Sequence, residues 1–373
     1  MPPEDSLPGG LIRPALAGLR PYQPGRPIDD VKRELGLDSV VKLGSNEGPW
    51  PPFPGAVEAI RRCAEDQRLY PDPGAWELRD ALAERLALPA EQILVGAGID
   101  GLITSLTRAT LDPGDGLTMA WPSFVQWRLA TLVQGGELQI APLADDGAYD
   151  LDALLEAITP RTKLVVIVSP NNPTGAAVAA TDVAAFLDRL PDHVLPVLDE
   201  AYFEYLPPGG HDGAALLREG RRLAVLRTFS KAYGLAGLRV GYLMAPAELL
   251  AALAKVRNAF DVTAPAQAAA VASLAEAHEH LPARMAEIAS ERAMMASGLQ
   301  ALGLAPLPSA ANFLLVPMGG AEQANRVNDA LLRQGVIVRP AGPFGAPDAL
   351  RITVGLAQQN ARLLAALAGA LAG

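Results

Sequence analysis

The chain has 373 residues, of which 50% are hydrophobic, and a formal net charge of −10. That length exceeds what a single hydrophobic core usually organises, so one large and one small domain are expected. The acidic balance argues against a general nucleic-acid or anionic-membrane surface, while leaving room for a local basic pocket. The one cysteine, Cys63, excludes an intrachain disulfide, fits a reducing compartment and reads as an ordinary thiol in a helix-like stretch. The histidines give no metal-ligand spacing, since His278 and His280 fall on different sides of a helix. There is no apolar run of about 18 residues. The acidic start Met1-Pro2-Pro3-Glu4-Asp5 lacks a basic lead with an apolar core behind it, so a cytoplasmic protein is expected.

In chain order, residues 1–44 are rich in Pro and Gly and read as an extended arm lying on another surface. Phe53 to Gln67 and Ala75 to Leu88 read as helices, separated by Tyr70-Pro71-Asp72-Pro73-Gly74. Ile93-Leu94-Val95 then precedes Gly96-Ala97-Gly98. Leu151 to Ile158 reads as a helix and Leu164 to Val168 as a buried strand. Thr181 is positioned to cap a helix reaching Leu190, and Val194 to Leu198 and Leu223 to Leu226 read as further buried strands. Such alternation means βαβ units and a mostly parallel sheet between helical layers, an α/β domain over about residues 45–258. From about residue 259 the pattern changes. Helices Pro265 to Leu281, Pro282 to Leu302 and Glu322 to Gln334, strands at Phe313 to Val316, Val336 to Val338 and Leu350 to Val354, and a closing helix Ala357 to Leu371 predict a smaller α+β domain joined by the arm.

Three polar residues follow three of these strands about one βα unit apart: Asn172, Asp199 and Lys231. Right-handed crossovers carry the carboxyl ends of parallel strands to one sheet edge, where open α/β folds bind ligands. Each residue alone admits a plainer reading. Asn171 to Gly175 could be a turn, Asp199-Glu200 a helix cap, and Gly96-Ala97-Gly98 an ordinary strand-to-helix connection. Their shared register with the strand ends sets them apart. A lysine desolvated at such an edge becomes a low-pKa amine able to form a Schiff base. The nearby Ser230 and Arg239 could hold a phosphate, the guanidinium as a bidentate fork.

With these segments the chain resembles the fold-type I pyridoxal phosphate-dependent aminotransferases, and within them the histidinol-phosphate and aromatic aminotransferases. The resemblance runs through Tyr22-Gln23-Pro24-Gly25, Ser45-Asn46-Glu47, Tyr70-Pro71-Asp72, Ser169 to Gly175, Asp199 to Tyr202, Thr228 to Leu238 and Leu350 to Gly355. It implies pyridoxal 5′-phosphate as cofactor, with Lys231 as the Schiff-base lysine and later the proton carrier, and Asp199 paired to the pyridine nitrogen. It also implies that Tyr202 and Asn172 hydrogen-bond the ring's phenolate oxygen and that Phe124 stacks on its face. The phosphate would lie on the backbone N–H groups of Ile99 and Asp100 at a helix start, beside Ser230 and Arg239. Tyr70 would reach it from a partner subunit of a homodimer. Arg351 would bind the substrate's anionic group, with Tyr22 and Arg339 as further candidates.

Two segments depart from the family pattern. Gly96-Ala97-Gly98-Ile99-Asp100-Gly101 carries Ile99 where relatives carry a hydroxyl, and Gly48-Pro49-Trp50 replaces Asn-Pro-Tyr near the substrate. The expected reaction is amino transfer between histidinol phosphate and 2-oxoglutarate. The alternatives are an aromatic amino-acid aminotransferase and, further off, an amino-acid phosphate decarboxylase of the same fold or a non-catalytic binder of the cofactor. A non-catalytic regulator would normally add a DNA-binding domain, and no basic helix-turn-helix segment precedes residue 45.

Overall fold

The structure, a computed structural model, describes residues 11–16, 18–21 and 24–372. Tyr22, a candidate for the substrate pocket, lies outside the described residues. Among those described, the strands are β1 (Val41–Lys42), β2 (Ile93–Gly96), β3 (Gly116–Trp121), β4 (Glu137–Pro142), β5 (Thr162–Val168) and β6 (Leu195–Asp199). They continue with β7 (Ala224–Thr228), β8 (Gly241–Met244), β9 (Phe313–Pro317), β10 (Val336–Ile337), β11 (Arg339–Pro340) and β12 (Ala349–Thr353).

The main sheet runs β2-β8-β7-β6-β5-β3-β4. Every neighbouring pair in it is parallel except those made by β8, which runs against both β2 and β7. Its middle strands are buried on both faces, which is why they read as unbroken apolar runs. Leu164, Val166 and Val168 point into one apolar layer with the helices Gly98–Thr110 and Val125–Gln134. Val165 and Ile167 point into the opposite layer with the helices Trp76–Leu86 and Ala180–Asp188. The period-two alternation of side chains thus builds three layers from one strand sequence. A smaller antiparallel sheet, β11-β12-β9, and the parallel pair β1-β10 lie beside it in the fold.

Several expectations are corrected. The stretch read as extended arm contains a helix, Ile28–Leu35. Pro27 is its N-cap, Asp29 and Asp30 lie in its first turn, Lys32 and Arg33 in its last, and Gly36 closes it at φ 64°. The helices expected on either side of Pro282 form one helix, Ala264–Ala301. An interior proline costs about 3 kcal/mol. Here the buried stripe continues across it, with Ala277 and Leu281 before and Ile288, Met295 and Leu299 after, so packing overrides the break. Thr181 is not a cap: the helix Ala180–Asp188 has Ala179 at its N-cap, and Thr181 lies in its first turn. Strands β3, β4 and β8 were not anticipated. β4 is half-exposed at the sheet edge, and β8 is four residues long, too short for a distinct period.

Candidate active site

At the carboxyl ends of β5, β6 and β7 a cavity of about 300 Å³ opens, the lower end of the range for small-molecule sites. Lys231, Asp199, Tyr202, Asn172, Ser230 and Arg239 all line it, as do Ile99, Asp100, Phe124, Arg339 and Arg351. Asp199 ends β6, Asn172 follows β5 and Lys231 follows β7, so the parallel topology carries all three to one edge.

The Lys231 amine donates to the Ser45 carbonyl at 3.3 Å and lies 5.6 Å from the centre of the Tyr202 ring. Burial, followed by the positive charge of Arg351, pulls its pKa from 10.5 down to about 8. Asp199 is 1% exposed. One of its carboxylate oxygens accepts from the Trp127 indole N–H at 2.9 Å, the other from the Ala201 backbone N–H at 3.2 Å. Burial raises its pKa to about 6, against those two donors, which pull it down. The Tyr202 hydroxyl accepts from the Asn46 amide at 2.8 Å. The Asn172 amide oxygen accepts from Arg351 at 2.5 Å, and Arg351 also donates to the Gly44 carbonyl at 2.9 Å.

The helix Gly98–Thr110 starts at the rim beside Ser230 and Arg239. Arg239 donates to the Ser230 hydroxyl at 3.4 Å and to Asp100 at 3.3 Å. Gly98 takes φ 71°, and a Cβ there would lie 2.7 Å from the Arg239 guanidinium. A helix start, a hydroxyl and a fork of N–H donors around a bare glycine make a cradle for a phosphate-sized anion. The Asp100 side chain, which pairs with Arg239, belongs to the rim of that cradle.

On the other wall, Arg339 and Arg351 are direct partners across the antiparallel pair β11–β12. Both are buried, with guanidiniums 5.5 Å and 4.9 Å from the centre of the Phe344 ring. Like charges placed opposite one another repel, and this pair presents a doubly positive wall to whatever enters. Tyr70 is not brought into the cavity. It is 82% exposed and stacks on Phe260 at 4.6 Å.

The sequence reading missed Trp127 and Asn46 as contributors. Trp127 lies one helical turn beyond Phe124, so a buried indole needing a partner for its N–H was the available signal. Asn46 holds a left-handed backbone at φ 54°, which no local pattern foretells.

If the amine is depressed as burial and Arg351 dictate, reaction of the apoprotein with an aldehyde should titrate near pH 8 rather than 10.5. The deprotonated amine is the reactive form, so the rate rises with pH through that midpoint. Arg351→Gln, which removes a neighbouring positive charge, should move the midpoint upward. A rate pH profile in both proteins checks it, and an unmoved midpoint would refute the coupling.

Fold and site together define an enzyme of the α/β class with an activated lysine, a buried carboxylate and an anion cradle at one sheet edge. The chain matches the family model for class I and II aminotransferases over residues 38–367, and it belongs to that family. It is 44% identical over 358 residues to a histidinol-phosphate aminotransferase of an Anaeromyxobacter species, covering 96% of this chain and 98% of that one. It is 42% identical over 360 residues to one from Symbiobacterium thermophilum, covering 96% and 98%. Among solved structures, the histidinol-phosphate aminotransferase of Sinorhizobium meliloti in complex with pyridoxal-5′-phosphate superposes with a TM-score of 0.89 at 32% identity, over 98% of both chains.

Proposed function

We propose that this chain is a pyridoxal 5′-phosphate-dependent aminotransferase that moves an amino group between histidinol phosphate and 2-oxoglutarate, as a homodimer in the cytoplasm. The cavity residues fit the cofactor on the chain's own features. The bare Gly98 leaves room for a phosphate at the helix start, and a lysine with a depressed pKa shares the cavity with a buried carboxylate. Bound there, the cofactor supplies an aldehyde for the amine and an electron-accepting ring.

In this reading the backbone N–H groups of Ile99 and Asp100, with Ser230 and Arg239, bind the phosphate. Asp199 would hold a proton on the ring nitrogen, Phe124 would cover the ring, and Tyr202 and Asn172 would hydrogen-bond its oxygen. Lys231, as a free amine, would take a proton from the substrate carbon as a base. Its depressed pKa serves that step, because more of the amine is unprotonated near neutral pH. The exposed Tyr70 lies on the outer surface, where it could serve the cavity of a second copy.

The single observation that carries the substrate reading is the cross-strand pair Arg339 and Arg351 over Phe344. One guanidinium matches a carboxylate. Two adjacent guanidiniums suit a dianionic phosphate ester and still accept the carboxylates of a dicarboxylic keto acid.

A panel of amino donors with 2-oxoglutarate, scored by the keto product formed, tests this. Histidinol phosphate should exceed phenylalanine in kcat/KM, and a tenfold preference for phenylalanine, about 1.4 kcal/mol in transition-state binding, would reverse the assignment. Arg339→Gln should cost histidinol phosphate about 30-fold or more in kcat/KM while affecting phenylalanine far less. Equal losses for both donors would show that Arg339 does not read the phosphate.

A further inference from the structure

Asp199 is held from behind by a residue that does not line the cavity. Phe124, which lines the cavity, is the N-cap of the helix Val125–Gln134, and Trp127 lies in that helix's first turn. Trp127 is fully buried, and its indole N–H donates to Asp199 at 2.9 Å. The cap and first turn of this helix thus supply both a wall of the cavity and the rear support of its carboxylate.

We infer that Trp127 is a positioning residue for the cofactor: its indole N–H keeps Asp199 charged and in one orientation, and so sets how firmly the ring is held. The inference rests on the aminotransferase reading above. The physical reason lies in what an indole offers. Its large apolar body excludes water from the carboxylate, which favours the neutral acid. Its N–H offsets that by stabilising the anion. An indole donates only and does not titrate in the physiological range, so the support stays constant with pH. A histidine here would add a second titrating group against the carboxylate.

Other groups also act on Asp199. Glu200, the next residue, and Asp100, from the helix after β2, both oppose its charge. Tyr149 is close enough to feel it, and Lys231 lines the same cavity. Because these persist in a Trp127 variant, a change in the titration of Asp199 would report the lost donor.

The test uses holoenzyme resolved from its cofactor and retitrated with pyridoxal 5′-phosphate. Trp127→Phe keeps an aromatic body and removes the donor. Its Kd should rise about tenfold, as expected for a hydrogen bond to a charged group. The pH below which binding weakens should move upward from near 6. In an Asp199→Asn background the same substitution should change Kd by less than about twofold, because its partner is gone. A wild-type Kd with an unmoved pH midpoint overturns the inference, as does an equal tenfold loss in the Asp199→Asn background. If Trp127→Phe does not fold, Trp127→His, which keeps a ring N–H, decides the matter. A Kd within about threefold of wild type near pH 8 supports the role, and a tenfold loss overturns it. Wild-type protein that fails to take up the cofactor on Lys231 would instead sink the functional reading itself.

Discussion

Lys231→Ala should lower turnover by at least about 10⁴-fold, because in the proposed reaction one amine would serve as both covalent anchor and proton carrier. The side chain reaches the cavity from the loop after β7, with its amine 3.3 Å from the Ser45 carbonyl. Its segment is locked by the bond from the Gly234 N–H to the Lys231 carbonyl, 3.1 Å, and Gly234 takes φ 74° to make that turn. Removing the amine leaves Asp199, Asn172 and the phosphate cradle in place, so cofactor should still bind, without a covalent link. Borohydride reduction followed by peptide mapping should label position 231 in wild type and nothing in the variant. A variant retaining more than about 1% of wild-type turnover, or a label elsewhere in the wild type, would refute the assignment.

Asp199→Asn should reduce kcat by about 10³-fold, within the range for removing a charged group that acts on the transition state. The two side chains are nearly equal in size, yet the amide cannot satisfy this site. Both Asp199 oxygens accept hydrogen bonds, from Trp127 and from Ala201. Asparagine must turn its NH₂ toward one of those donors and also loses the charge that would hold a proton on the ring nitrogen. The apoprotein should keep its fold, because a carboxylate whose burial raises its pKa to about 6 is a cost to the folded state when ionised. Stopped-flow kinetics with far-ultraviolet circular dichroism would check both halves. A folded variant with kcat within tenfold of wild type would mean that Asp199 does not act on the cofactor ring.

The parts legible in the sequence share a physical cause. β5, β6 and β7 are buried on both faces, so they read as apolar runs. Their polar successors Asn172, Asp199 and Lys231 then stand out by spacing alone. Edge strand β4 and the short β8 gave no such run, because half-exposure and brevity leave little period to detect. The proline at 282 misled for the opposite reason: its local penalty is real, but contacts with the helices Pro54–Arg62 and Trp76–Leu86 outweigh it.

By itself the sequence determined the three-layer α/β order and which polar side chains end up at the sheet edge, because burial period and crossover handedness are local rules applied in series. Only the tertiary structure decided that Arg339 stands opposite Arg351, that Asn46 reaches Tyr202, and that Trp127 backs Asp199. The last two contacts join segments far apart in the chain and the first depends on the register of two neighbouring strands, so helix docking and strand register, which no local pattern encodes, had to exist first.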